Sequence, residues 1–202
     1  MKYTITMFSD FLWPYCHIGK GIVEELKKDY DIEIIHKGFE IHPEVPEEGM
    51  LLTDYFPNAN QMFGQLKAMG QPYGVKFNHL TMMPNTNRAL QVAEYAKTVG
   101  KSNDYNTAMY KATFEDDVNI SDIKEIKKIA SSVGISSDEV DTIFDNNDYK
   151  KILEDNKVYC RNNNITSVPT FIVNDQVAVV GAQGPENFKN IFKKLESGSV
   201  MF

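Results

Sequence analysis

Neither end of this chain can fold by itself. Residues 3–8 (YTITMF) alternate strand-forming types, residues 19–30 (GKGIVEELKKDY) place Ile22, Val23 and Leu26 on one helical face, and residues 32–39 (IEIIHKGF) alternate again. At the other end, residues 169–173 (PTFIV) and 176–180 (QVAVV) read as strands joined by a tight turn at Asn174-Asp175. Residues 185–195 (PENFKNIFKKL) follow as a helix that opens on proline and sets Phe188, Ile191, Phe192 and Leu195 at helical spacing. A βαβ unit and a ββα unit of this size each lack the surface to bury a core, so the two are expected to share one sheet.

Between them the expected pattern is all-helical, with helices near 59–69, 86–99, 104–114, 121–133, 137–144 and 148–162, and no strand from residue 44 to residue 160. Ser121, followed by Lys124-Glu125, and Ser137, followed by Val140-Asp141, read as helix starts, and Gly100 and Gly134 read as stops. Pro43, Pro46 and Gly49 mark the exit from the first unit. The fold class that follows is α/β: a thioredoxin-like fold split by an all-helical inserted domain, with residues 1–43 and 161–202 as the discontinuous domain and 44–160 as the insertion.

The 202 residues carry a formal charge of -7, which offers no electrostatic footprint for nucleic acid. No apolar stretch approaches the roughly 20 residues that cross a bilayer, and residues 1–8 read as a strand and not as a leader, so a cytoplasmic location without a membrane partner is expected. Cys16 and Cys160 are the two cysteines, far apart in sequence, and a structural disulfide is not expected. His17, His36, His42 and His79 are scattered singly, without the spacing of a metal site.

Chemistry concentrates at residues 9–20 (SDFLWPYCHIGK), where the first strand turns into the first helix. The carboxyl end of a strand faced by a helix N-terminus is where α/β sheets place ligands, and a thiol there is expected to ionise more readily. Pro14 suits the first helical position because its missing N–H would have had no partner. The stretch S-D-x-x-W-P-Y-C-x-I-G, with V-P-T-F at 168–171 and G-A-Q-x-P at 181–185, resembles the DsbA family, its FrnE-like branch above all. The family motif is C-x-x-C, whose first cysteine attacks a disulfide and whose second resolves the mixed disulfide. Here the first position falls on Trp13 and the second on Cys16. Indole donates one N–H and offers a flat face but cannot exchange disulfides.

The resemblance implies a cis bond before Pro169, with the backbone of Val168 left to pair with an extended peptide or with glutathione. It also implies that Asn85 and Thr86 face the motif from the insertion, although both suit helix capping as well. Cys16 is the candidate catalytic residue, readable equally as a lone reactive thiol or as a buried small residue. Trp13, Pro14, Tyr15, His17, Val168, Pro169, Asn85, Thr86 and Gln183 are the candidate binding residues, and Met62, Met69, Met82 and Met83 furnish an apolar wall. Related kappa-class glutathione transferases and 2-hydroxychromene-2-carboxylate isomerases carry serine at the first motif position, and several carry an Asp-Arg pair where Gln183-Gly184 stand here; both departures argue against their chemistry.

Three functions follow from these residues: a DsbA-type oxidoreductase with monothiol or reduced activity, a glutathione-dependent isomerase or transferase, and a non-catalytic peptide or small-molecule binding module. No cofactor is required, glutathione is a candidate ligand, and the expected partner is a thiol-containing small molecule or an extended peptide. The oligomeric state stays open, a dimer included.

Overall fold

The computed structural model describes residues 2–78 and 80–198; His79 lies outside the described residues. In chain order the elements are β1 (Lys2–Ser9), α1 (Pro14–Leu26), β2 (Asp31–Gly38), β3 (Met50–Leu51), α2 (Leu52–Tyr55), α3 (Ala59–Gly70) and a turn of 3-10 helix at Gln71–Tyr73. There follow β4 (Met82–Met83), α4 (Asn87–Thr98), α5 (Ser102–Phe114), α6 (Ile123–Ser132), α7 (Ser137–Asp145), α8 (Asp148–Asn162), β5 (Thr170–Val173), β6 (Val177–Val180) and α9 (Pro185–Glu196). The two chain ends do meet in one sheet, in the order β2-β1-β5-β6. β2 runs parallel to β1, whereas β5 and β6 run antiparallel to their neighbours.

Helices cover both faces of the sheet, so the central strand is buried nearly throughout and carries apolar side chains on both sides. Tyr3 stacks on Phe192 of α9 at 4.0 Å between ring centroids, and Phe171 meets Phe188 of α9 edge to face at 5.2 Å. Phe8 points the other way and stacks on Tyr159 of α8 at 5.5 Å. Aromatic pairs of this kind add about 0.5–1.5 kcal/mol each beyond the area they bury.

Four details depart from the sequence reading. α1 begins at Pro14 and ends at Leu26, earlier at both ends than the apolar spacing suggests, because Pro14 supplies the first helical turn. The insertion holds one short antiparallel pair, β3 with β4, where Met50 faces Met83 and Leu51 faces Met82. Two residues per strand are too few to carry a period. Asp122, not Ser121, caps α6 by accepting from the Lys124 N–H. Ser136, not Ser137, caps α7 in a capping box with Glu139. Gly100 and Gly134 do end their helices with φ of 71° and 84°, in the left-handed region that glycine adopts without cost.

Register decides where the site forms. Phe8 near the carboxyl end of β1 pairs with Thr170 at the start of β5, so the turn after β1 and the turn before β5 lie at one edge of the sheet. α1 rests on that edge through Gly19: a Cβ there would stand 2.8 Å from Phe171 Cζ and 3.1 Å from Pro169 Cγ. Glycine at this position lets helix and strand approach closely.

Candidate active site

The turn that carries the motif is anchored by a buried carboxylate. Asp10 is fully buried; its Oδ2 accepts the Ile41 N–H at 2.8 Å, its Oδ1 accepts the Leu12 N–H at 3.3 Å, and its main-chain oxygen accepts the Trp13 N–H at 3.3 Å. Asp10 thereby ties the motif to the segment that leaves β2. Desolvation pushes its carboxyl up to about 6, against the opposing pull of the Thr86 hydroxyl and the two backbone N–H groups. Thr86 precedes α4 but does not cap it; Asn85 Oδ1 accepts the Asn87 N–H at 3.1 Å instead.

Trp13 occupies the N-cap of α1 with an extended backbone, and its carbonyl accepts the Cys16 N–H at 2.9 Å. Its half-buried indole lies 6.0 Å from the Tyr15 ring and 6.1 Å from the His42 ring, centroid to centroid. It lines a narrow apolar recess shared with Leu52, Phe56, Met82, Met83 and Phe114, with a free volume of about 30 Å³. Met62 also lines the recess, while Met69 is 42% exposed and stands apart from that wall.

Cys16 has no exposed surface. The expectation of an easily ionised thiol reverses here: burial pushes the thiol well above its ordinary value, with the Asp10 charge adding to it, and outweighs the Asp10 backbone N–H and the Tyr110 hydroxyl that favour the thiolate. Cys16 lies in the first turn of α1, but without exposed surface the cost of burying its charge outweighs what the helix N-terminus supplies. Cys160, on α8, is also free and buried, and its thiol is pushed up to about 11 by desolvation.

The Val168–Pro169 peptide bond is cis. Val168 is 4% exposed, and among the described residues nothing hydrogen-bonds to its N–H or C=O. The Pro169 carbonyl accepts the Gly181 N–H at 2.8 Å, which links this turn to the one bearing Gln183. Gln183 is exposed and bonds locally, to the Val180 carbonyl at 3.0 Å and to the Asn187 amide at 2.7 Å.

His17 is held away from the turn by aromatic rings. It stacks on Tyr110 at 5.3 Å and on Phe114 at 5.5 Å, meets Phe77 edge to face at 5.5 Å, and is pushed down to about 4 by desolvation. Asn85 is occupied too: its amide donates to the Val45 carbonyl at 2.8 Å and its N–H to Ser121 Oγ at 2.8 Å. It lines a polar cavity of about 590 Å³ with Glu40, Arg88, Gln91 and Lys150, and Trp13 is not part of that wall. The structure thus brings Trp13, Pro14, Tyr15 and Cys16 together and sets the Val168–Pro169 turn at the same sheet edge. His17 and Asn85 serve neighbouring structure.

Residues 4–193 match the DSBA-like thioredoxin domain. The chain belongs to that family. Among its DSBA-like relatives, the uncharacterized protein YwbO of Bacillus subtilis is 30% identical over 198 residues, 96% of each chain. A probable DsbA oxidoreductase from Streptomyces coelicolor superposes with a TM-score of 0.88 at 20% identity, over 99% of this chain and 92% of that one. 2-Hydroxychromene-2-carboxylate isomerase superposes at 0.78 and 13% identity, over 98% of this chain and 100% of that one. Both likenesses establish a shared fold.

One part of this DSBA-like site escaped the sequence reading. His42, Glu44 and Tyr55 form a hydrogen-bonded triangle beside Trp13: Glu44 Oε1 stands 2.8 Å from His42 Nδ1 and 2.6 Å from the Tyr55 hydroxyl, which is itself 3.0 Å from Nδ1. The Tyr55 hydroxyl, followed by His42, draws the Glu44 carboxyl down to about 2. The three residues span a strand exit and a short helix, so no local period signals them. Proline on both sides of Glu44, one residue off at Pro43 and two at Pro46, was the available hint of a shaped loop.

Proposed function

We propose that this DSBA-like protein is a binding module that has given up dithiol exchange and receives an extended peptide at the turn formed by Trp13 and Val168–Pro169. One observation carries the reading: the motif's remaining sulfur, on Cys16, has no exposed surface and a thiol driven away from ionisation, while the position a nucleophile would hold presents indole. Exchange needs one thiolate to attack and a second sulfur to release the product. Two features support peptide recognition. The Val168 main chain makes no hydrogen bond among the described residues, and a strand of peptide laid against it would supply partners for both its N–H and its C=O. Trp13 offers a flat apolar face for a side chain next to that strand.

An insulin-reduction assay with dithiothreitol as reductant tests the loss of exchange. Wild-type protein gives no turnover above the uncatalysed rate. Trp13→Cys restores C-P-Y-C and gains turnover, which Cys16→Ala in that background removes. Wild-type turnover that Cys16→Ala abolishes refutes the reading and returns the protein to the monothiol oxidoreductases.

A further inference from the structure

The hydrogen-bond arithmetic of the loop beside Trp13 identifies a chemical preference. Glu44, ionised, only accepts. Its Oε1 is the nearest partner of both the Tyr55 hydroxyl, at 2.6 Å, and His42 Nδ1, at 2.8 Å, so both must donate to it. In the neutral imidazole the proton therefore sits on Nδ1, and Nε2 carries a lone pair. Among the described residues nothing donates to that lone pair. The ring cannot turn away without breaking the triangle, and it is wedged against Tyr55 at 5.1 Å and Phe56 at 6.5 Å. Its remaining neighbour is Trp13, 6.1 Å away between centroids and tilted by 50°. An acceptor of fixed direction thus stands at the edge of an aromatic face, with His42 still 18% exposed in its side chain.

We propose that His42, oriented by Glu44 and Tyr55, is the specificity-determining acceptor of this site, selecting an aromatic ring that bears a hydroxyl: the tyrosine side chain of a bound peptide. The recess that Trp13 lines is nearly filled, with about 30 Å³ free, so the ring lies on the outer face of the indole and its hydroxyl donates to Nε2. A phenylalanine in the same place leaves the lone pair to water. Glu44 and Tyr55 are positioning residues: they hold the tautomer and the ring direction without touching the ligand. This inference rests on the peptide-binding reading above and extends it to a residue type.

Trp13 is the single tryptophan of the chain, so its emission reports on the site alone. Full-length protein is titrated with two capped seven-residue peptides that differ only in a central Tyr or Phe, and with p-cresol and its methyl ether. The expected result is that the Tyr peptide binds about tenfold tighter than the Phe peptide, the upper end of what one well-placed hydrogen bond to an oriented acceptor allows. In His42→Phe the ratio falls to within about twofold while the Phe peptide still binds. In Glu44→Val, whose side chain is on the surface, the ratio falls in the same way although His42 is present. Equal binding of the two peptides by the wild type, or a preference that survives in His42→Phe, overturns the inference and leaves the peptide site standing. Absence of any emission change with either peptide overturns the peptide-binding reading and this inference with it. A response to p-cresol over its ether with none to the peptides assigns the acceptor to free phenols and refutes the peptide source.

Discussion

His36 gives the folded state a pH dependence that can be worked out from its surroundings. It lies on β2, is 4% exposed, and neither ring nitrogen has a hydrogen-bond partner among the described residues. Burial, reinforced by Lys20, Lys27 and Lys97, pushes the imidazole from its ordinary 6.5 down to about 3. Below 6.5 the unfolded chain takes up a proton that the folded protein refuses until about pH 3, so this group's stability is fully present above 6.5 and is lost as pH falls toward 3. One proton of difference corresponds to about 1.4 kcal/mol per pH unit, or about 3 kcal/mol between pH 6.5 and 4.5, a large share of a typical folding free energy.

Two other buried groups overlap this window. His17, held down to about 4, acts with the same sign. Asp10, pushed up to about 6, acts with the opposite sign: its folded form retains a proton that the unfolded chain has released, so its contribution falls as pH rises from 3.8 to about 6. The wild type should therefore lose stability at a net one proton's worth between pH 6 and 4.5, and His36→Leu should be nearly flat there. At pH 7.5 the two proteins should agree within about 1 kcal/mol, because the substitution removes two unsatisfied nitrogens along with the ring. Urea unfolding followed by Trp13 emission at half-unit pH steps measures both slopes. Parallel slopes for wild type and His36→Leu refute the account.

Gly19→Ala should destabilise the fold by about 1 kcal/mol in the same urea assay: overpacking against Phe171 Cζ and Pro169 Cγ costs about 1–3 kcal/mol, partly offset by about 1 kcal/mol of helix propensity. A more stable variant would mean that the Pro169 turn yields easily and is not pinned by α1. Millimolar glutathione should leave the melting temperature unchanged, since Gln183 is exposed and engaged locally and Cys16 is buried. A rise of several degrees would instead favour a glutathione-dependent activity on this scaffold.

The parts of this molecule legible in the sequence are those that repeat a period. β1, β2, β5, β6, α9 and the helices α3 to α8 fall within a few residues of their expected positions because each carries several turns or pleats of apolar spacing, whereas the four-residue α2 was not expected. The ends of elements are set by single hydrogen bonds and are harder to read: Asp122 displaces Ser121, and Ser136 displaces Ser137, because theirs are the side chains that reach a free N–H of the first turn, that of Lys124 and that of Glu139. β3 and β4 have no period at all.

At the site, the motif told which residues gather but not which way they face. Cys16 stands where a helix dipole would favour a thiolate, and the sequence carries that dipole plainly in Pro14 and the turn before it. What it does not carry is depth: the cost of burying a charge exceeds the roughly 1 kcal/mol a helix terminus supplies, and Cys16 has no exposed surface. The His42 triangle was hidden for the complementary reason. Its members are ordinary surface residue types, and only the fold reveals that Tyr55 on α2 closes on Glu44 and leaves one imidazole nitrogen without a donor. A carboxylate buried to hold a turn and a histidine fixed to point at it are both consequences of the same segment, residues 39–49, leaving β2 across the motif. Asp10 binds its start through the Ile41 N–H, and His42 presents the next side chain to Trp13. Loss of the Asp10 carboxylate therefore releases both arms together, the Leu12 N–H in the motif turn and the Ile41 N–H one residue before His42.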